Sequence, residues 1–299
     1  MILLIFVLGL LGHCLGAINN QTSSVGQVDE ARLQDFKIIS QYAAASYCNY
    51  KRPSGERIRC NFGVCHDVEN NGATIIGSFS GLLTGSGGIV AVDNARQQIV
   101  VSFRGNNNLR NFLEDIFLLK EPCGFGGEGC KIHTGILNSW KELSSKLLSS
   151  FQTALSQYPT YQVVVTGHSS GGALATYAAA YFKGMGLAPD LYTYGANAAG
   201  NPAFAEFASR QPGQVFRITH LDDVGPKLPP LILGFAHPSP EYWIYKGSEI
   251  ATSYAPSDIK ICEGYTSLKC NGGTLIPGLI PHFFYFGSIY GCAGIFFQP

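Results

Sequence analysis

Apolar and polar positions alternate along this chain with two periods. Over 29–47, Phe36, Ile39, Ala43 and Tyr47 recur at three- and four-residue spacing, which predicts a helix with one apolar face. Runs at 74–79, 88–92 and 98–103 predict strands, the last two joined by a hairpin turn at Asp93-Asn94. A long helix is predicted over 136–158, stopped by Pro159. Val163, Val164 and Val165 then predict a buried strand, and the alanines from Ala173 to Ala180 predict the helix that follows it. Two further buried strands, 191–194 and 215–219, are separated by a short helix beginning near Pro202. Strands alternating with helices imply a central sheet, mixed but mostly parallel, with helices on its faces. The chain shows no internal repeat, low-complexity segment or linker, so 18–299 reads as a single domain.

The sharpest chemical signal lies between the valine strand and the alanine helix, where Gly167-His168-Ser169-Ser170-Gly171 occupies the turn. A bare G-x-S-x-G is weak evidence in a chain with 36 glycines. Placed between strand and helix it is strong, because an exposed serine on such a turn strains the backbone and leaves no room for β-carbons beside it. Ser169 is the candidate nucleophile. A serine hydroxyl needs a base to take its proton and an acid to orient that base. The α/β-hydrolase arrangement orders these Ser, Asp, His along the chain. Asp222 and Asp223 follow the strand 215–219, at the sheet edge where the serine turn emerges, while Asp190 precedes a strand and sits at the wrong edge. His237 and His282 follow Asp223, and chain order leaves both open as the base.

Composition narrows the setting. The formal net charge is +0 with 13% charged residues, which gives no electrostatic reason to expect a nucleic-acid partner and favours a largely uncharged substrate. The apolar run 2–11 is followed by small residues at Gly16 and Ala17, which predicts a secretory signal over 1–17; it is too short to span a bilayer, and its n-region lacks Lys and Arg. Asn20 opens a glycosylation sequon at the expected mature start. Removing Cys14 with the signal leaves eight of nine cysteines, an even number that predicts four disulfides in a secreted chain. Proximity pairs Cys60 with Cys65 and Cys123 with Cys130. No C-x-x-C pair and no histidine pair at ligand spacing occurs, so neither metal nor other cofactor is expected.

Longer stretches carry a family resemblance. SFRG at 102–105 with NNNLRNFLEDI at 106–116, GHSSGGALA at 167–175, FRITHLDDVGPKLPP at 216–230, HPSPEYWIY at 237–245 and HFFYFG at 282–287 together resemble the secreted, fungal-type class 3 triacylglycerol lipases. The resemblance covers most of the mature chain in the family's order. It implies an α/β-hydrolase fold with a short helical lid, and a serine lipase that cleaves acylglycerols at a lipid–water interface with no obligate protein partner. It implies Asp223 as the acid and His282 as the base, with His237 structural. It implies an oxyanion hole formed by backbone N–H groups of Ser170 and Asn106. It also implies the disulfides Cys48–Cys292, Cys60–Cys65 and Cys262–Cys270, leaving Cys123 with Cys130. Three positions depart from the family pattern: Ser170 replaces Leu, Asn106 replaces Ser or Thr, and Pro281 replaces the Asp before the base.

Leu109, Phe112, Leu113, Ile116 and Phe117 recur at helical spacing, with Arg110 and Glu114 an i,i+4 pair on another face. The pattern alone fits a core-facing helix; the resemblance makes it the lid. The Cys123–Cys130 loop just beyond it either restrains lid travel or staples a surface loop. An apolar lid argues against the alternative of a feruloyl or other soluble-ester esterase on the same fold. Retention of Ser169, Asp223 and His282 argues against a catalytically silent lipid-binding relative.

Overall fold

The computed structural model describes residues 27–105, 119–210, 212–265 and 267–293. Its centre is an eight-stranded sheet built from β1 (Thr74–Ser80), β2 (Gly87–Asp93), β3 (Gln98–Arg104), β6 (Gln162–His168), β7 (Asp190–Tyr194), β8 (Val215–His220), β9 (Glu241–Ile244) and β10 (Ile259–Cys262), side by side in that order. The run β3-β6-β7-β8-β9 is parallel, and the two ends, β1-β2-β3 and β9-β10, are antiparallel. A small hairpin, β4 (Lys120–Pro122) with β5 (Lys131–His133), lies apart from it.

Period-two alternation divides these strands between two cores. Ile99, Val101, Phe103, Val163 and Val165 join one core with the helices α3 (Thr134–Gln157), α4 (Ser170–Gly184) and α5 (Pro202–Ser209). Val100 and Val164 face the other way, into a core made with α1 (Glu30–Asn49) and the short α2 (His66–Asn70). The parallel strands are therefore covered on both faces, which is why they read as unbroken apolar runs.

Helix α1 departs from the one-faced helix expected at 29–47. Asp29 caps it, accepting from Arg32 N at 2.7 Å, and most of its residues from Leu33 onward are buried, including Ser40, Gln41 and Ser46. Its second side is covered by α2 and by the C-terminal segment joined to it through Cys48–Cys292, so burial extends beyond the apolar stripe. Ser40 and Ser46 are satisfied locally, their hydroxyls donating to carbonyls three residues back at 2.7 and 2.6 Å, while Gln41 exchanges hydrogen bonds with Asp67 of α2, donating to its carboxylate at 2.7 Å and accepting from its N–H at 2.9 Å. The β2–β3 connection is also longer than a two-residue turn, with β3 starting only at Gln98. Arg96 N donates to Asp93 there at 3.1 Å. Three further disulfides join Cys60 to Cys65, Cys123 to Cys130 and Cys262 to Cys270. The Cys123–Cys130 loop packs its Phe125 ring on Tyr177 and Phe207, with ring centres 5.1 and 5.6 Å apart, which anchors it to α4 and α5.

Candidate active site

Strand β6 ends at His168 and α4 begins at Ser170, leaving Ser169 on the turn with φ 58° and ψ −130°. A non-glycine residue rarely holds a positive φ, and neighbouring contacts enforce it here. A β-carbon on Gly171 would lie 2.5 Å from the Phe103 carbonyl oxygen, so only glycine lets α4 approach β3 this closely. Ser169 N donates to the Tyr194 carbonyl at 3.0 Å, and its own carbonyl accepts from Gly172 N at 2.9 Å. Its hydroxyl makes no capping bond, although serine is a favoured helix cap. The Oγ is buried and has no hydrogen-bond partner among the described residues.

Asp223 and His282 reach the same edge from distant elements. The turn after β8 carries Asp223, and a tight turn over Ile280–Phe283 carries His282. His282 Nδ1 lies 2.7 Å from Asp223 Oδ1. That carboxylate also accepts from Gly225 N at 2.7 Å and from the Tyr285 hydroxyl, so its oxygens are acceptors and Nδ1 must donate. Burial first, then the Asp223 charge, hold the Tyr285 phenol well above its ordinary pKa, keeping it a donor. His282 Nε2 is left as an acceptor. It too is buried without a partner among the described residues. At Gly195, φ is +55° and a β-carbon would stand 2.6 Å from Asp223 Oδ2 and 3.1 Å from His282 Nδ1, so a side chain would displace the pair. Asp222, by contrast, is half-buried and turned toward Gly278.

Two residues to which the sequence assigns no site role, His168 and Tyr47, support this pair. His168 Nε2 lies 2.8 Å from the His282 carbonyl oxygen, which can only accept. Burial and the neighbouring His282 push the His168 pKa well down, so the ring is neutral with its proton on Nε2. Its Nδ1 must then accept from the Tyr47 hydroxyl at 2.8 Å, and Tyr47 in turn accepts from Gly105 N at 3.0 Å. A single chain of bonds thus runs from the end of β3 through α1 and β6 to the backbone of His282. These partners are 121 and 114 residues apart in sequence, and only the occurrence of His168 beside Ser169 offered a clue.

The Asp223 turn rests on a second polar group. Arg217 and Glu241 form a buried ion pair at 2.8 Å, Thr219 donates to Glu241 at 2.6 Å, and Asn271 Nδ2 donates to the Leu221 and Asp223 carbonyls, both at 3.1 Å. His237 belongs to this layer, its Nε2 2.7 Å from the Pro226 carbonyl, and burial with the nearby Arg217 lowers its pKa to about 3. A cavity of about 270 Å³ here is lined by Arg217, Lys227, His237 and Asn271, and not by Ser169.

Ser170 is the first residue of α4, where an N–H points out of the helix end. Asn106 and the segment holding Leu109, Phe112, Leu113, Ile116 and Phe117 lie outside the described residues, as do 1–17 and Asn20. Gly105, immediately before Asn106, abuts Ser169: a β-carbon on it would sit 3.0 Å from the Ser169 β-carbon.

Residues 100–233 match the family model described as Lipase (class 3). The secreted mono- and diacylglycerol lipase 1 of Fusarium solani is 43% identical over 263 residues, covering 88% of this chain and 78% of its own. The secreted mono- and diacylglycerol lipase A of Penicillium cyclopium is 36% identical over 287 residues, covering 93% of this chain and 91% of its own. Among solved structures, the mono- and diacylglycerol lipase of Aspergillus oryzae superposes with a TM-score of 0.83 at 36% identity, over 89% of this chain and 99% of that one.

Proposed function

The chain belongs to the class 3 lipase family, and from that starting point we propose that it is a secreted acylglycerol hydrolase working through an acyl-enzyme on Ser169. The observation that carries the reading is a pair of buried atoms at one sheet edge, Ser169 Oγ and His282 Nε2, that bond to no described residue, behind which Asp223 holds the other ring nitrogen. Neither atom bonds the other in this structure; both are kept clear of competing partners among the described residues, and proton transfer from serine to imidazole follows once the two close to hydrogen-bond distance. His282 takes the Ser169 proton as Oγ attacks the ester carbonyl carbon, and Asp223 stabilises the imidazolium. The tetrahedral oxyanion accepts from the Ser170 N–H and from that of Asn106, each donor supplying roughly 3 kcal/mol to the transition state. Collapse expels the glycerol-side alcohol, which receives its proton from His282. Water, deprotonated by the same ring, then releases the fatty acid.

All three side chains are buried, so a covering element has to move before an ester can enter. The apolar segment holding Phe112 and Ile116 is our candidate for it. Among the described residues no helix is long and apolar enough to cross a membrane. Partial glycerides are the proposed substrate class, because the Fusarium and Penicillium relatives are named for mono- and diacylglycerols. Thin-layer product analysis on emulsified mono-, di- and triacylglycerols tests this. Diolein and monoolein should be consumed well ahead of triolein. Equal or faster loss of triolein would remove the proposed preference, and no loss of any of the three would remove the function.

A further inference from the structure

The loop between β1 and β2, residues 81–86, presents two adjacent leucines, Leu82 and Leu83, that are 97% and 93% exposed. Exposed leucines are ordinary when single, but a rigid pair on a functional edge is not. Strand β2 begins at Gly87, paired with Arg104 at the end of β3, and Phe103 pairs with Gly167 just before the serine turn. The loop therefore lies at the same sheet edge as Ser169. It is also tied down. The Glu142 carboxylate on α3 accepts from Leu83 N at 2.9 Å, Thr84 N at 3.0 Å and Thr84 Oγ1 at 2.6 Å. These bonds, the hydroxyl's foremost, pull its pKa down to about 2. Ser86 donates to Ser139 at 2.8 Å, and the Arg104 guanidinium donates to the Gly85 carbonyl. A loose loop could fold its leucines back; this one holds them in water.

A second apolar flank stands on the far side of Ser169. Leu275, Ile276 and Leu279 are exposed on the segment leading to His282, where Gly278 N donates to the Asp222 carbonyl at 2.8 Å. Residues 81–86 and 274–281 contain no charged side chain. Neighbouring cations are turned inward: Lys227 donates to the Asn271 and Thr274 carbonyls at 2.8 and 2.9 Å, and Arg104 lies 3.9 Å over the Tyr50 ring. A surface built to meet anionic headgroups would turn such cations outward.

We propose that Leu82 and Leu83 are a fixed apolar anchor, inserted into an uncharged acylglycerol surface so that the edge carrying Ser169 faces the lipid. The inference rests on the acylglycerol reading above and deepens it by naming the surface the enzyme settles on. Because the loop is already ordered, insertion costs little conformational freedom, and the gain from moving each leucine out of water is kept.

The test is adsorption of the S169A protein, which cannot consume the lipid, to emulsified diolein, with and without L82S/L83S. Each leucine should account for roughly a tenfold change or more in partitioning, so the double change should weaken adsorption on the order of a hundredfold. In the protein retaining Ser169, the same double change should leave Tm and turnover of a dissolved short-chain ester unaltered, since both side chains already face water. Leu83→Trp should keep adsorption, with its added emission shifting to the blue on diolein. Unchanged partitioning of the double variant, an unmoved emission, or tighter binding to phosphatidylglycerol vesicles than to diolein would each overturn the anchor. If instead the parent adsorbs through these leucines but hydrolyses no glyceride, the anchor stands and the catalytic reading falls.

Discussion

At the scale of single residues, the site depends on which atoms are left without partners. Ser169→Ala removes one hydroxyl that bonds to no described residue and leaves the glycine-lined turn intact. Activity should fall on the order of 10⁴–10⁶-fold with Tm preserved, as measured by ester release and thermal melting. A folded alanine variant keeping several per cent of turnover would mean that the nucleophile lies elsewhere. The adjacent carboxylates offer a sharper comparison. Asp223 bonds His282 Nδ1, Gly225 N and the Tyr285 hydroxyl, whereas the half-buried Asp222 faces Gly278. Asp223→Asn should cost roughly 10⁴-fold in kcat, because the amide cannot hold the ring in the tautomer that serves Ser169. Asp222→Asn should cost far less. Equal losses would show that the wrong acid has been assigned.

At the scale of elements, α1 is as much a part of the site as the serine turn, since Tyr47 ties Gly105 to His168 and so to the backbone of His282. Tyr47→Phe leaves Gly105 N–H and His168 Nδ1 buried without partners, which should cost about 1–3 kcal/mol for each group. If the relay positions the base, kcat on a dissolved ester should fall roughly 10- to 100-fold with KM little changed. A lowered Tm with unchanged kcat would reduce the relay to structural support. None of this was legible in the sequence, because a lone tyrosine on a helix reads as core. The strands and helices that are buried on periodic faces were legible, as was Ser169 on its turn. Asp223 and His282 were not separable from Asp222 and His237 by chain order; the family's motifs distinguished them. Strands β9 and β10 escaped notice because each is four residues long at the sheet's end, and β9 opens on Glu241, a charged residue whose burial depends on Arg217 across the sheet. The lone-apolar-face reading of α1 failed for a related reason: its second side is covered by α2 and by a segment that arrives from the other end of the chain.

At the scale of the whole molecule, two features set stability. Burial foremost holds the His168 and His237 pKa values below their ordinary range, that of His237 at about 3. An unfolded chain takes up those protons near pH 6.5 and the folded one does not, so stability should decline as pH drops from about 6.5 toward 3. A Tm that stayed flat over this window would show that these rings accept protons in place. The second feature is Cys48–Cys292, which closes a sequence separation of 244, against 8 for Cys262–Cys270. In the chain-entropy model the long link contributes about 5 kcal/mol and the short one about half of that. Cys48 also follows Tyr47 directly, and Tyr290, two residues before Cys292, packs edge-on against the Tyr47 ring with centres 5.1 Å apart. Cutting the link therefore frees the segment that braces the His168 relay. C48S/C292S should lower Tm more than C262S/C270S, and it alone should also lower turnover of a dissolved ester at a temperature where both variants remain folded. Equal Tm losses would deny the long loop its entropic role. A large Tm loss with undiminished turnover would show that the bridge stabilises the fold without bracing the site.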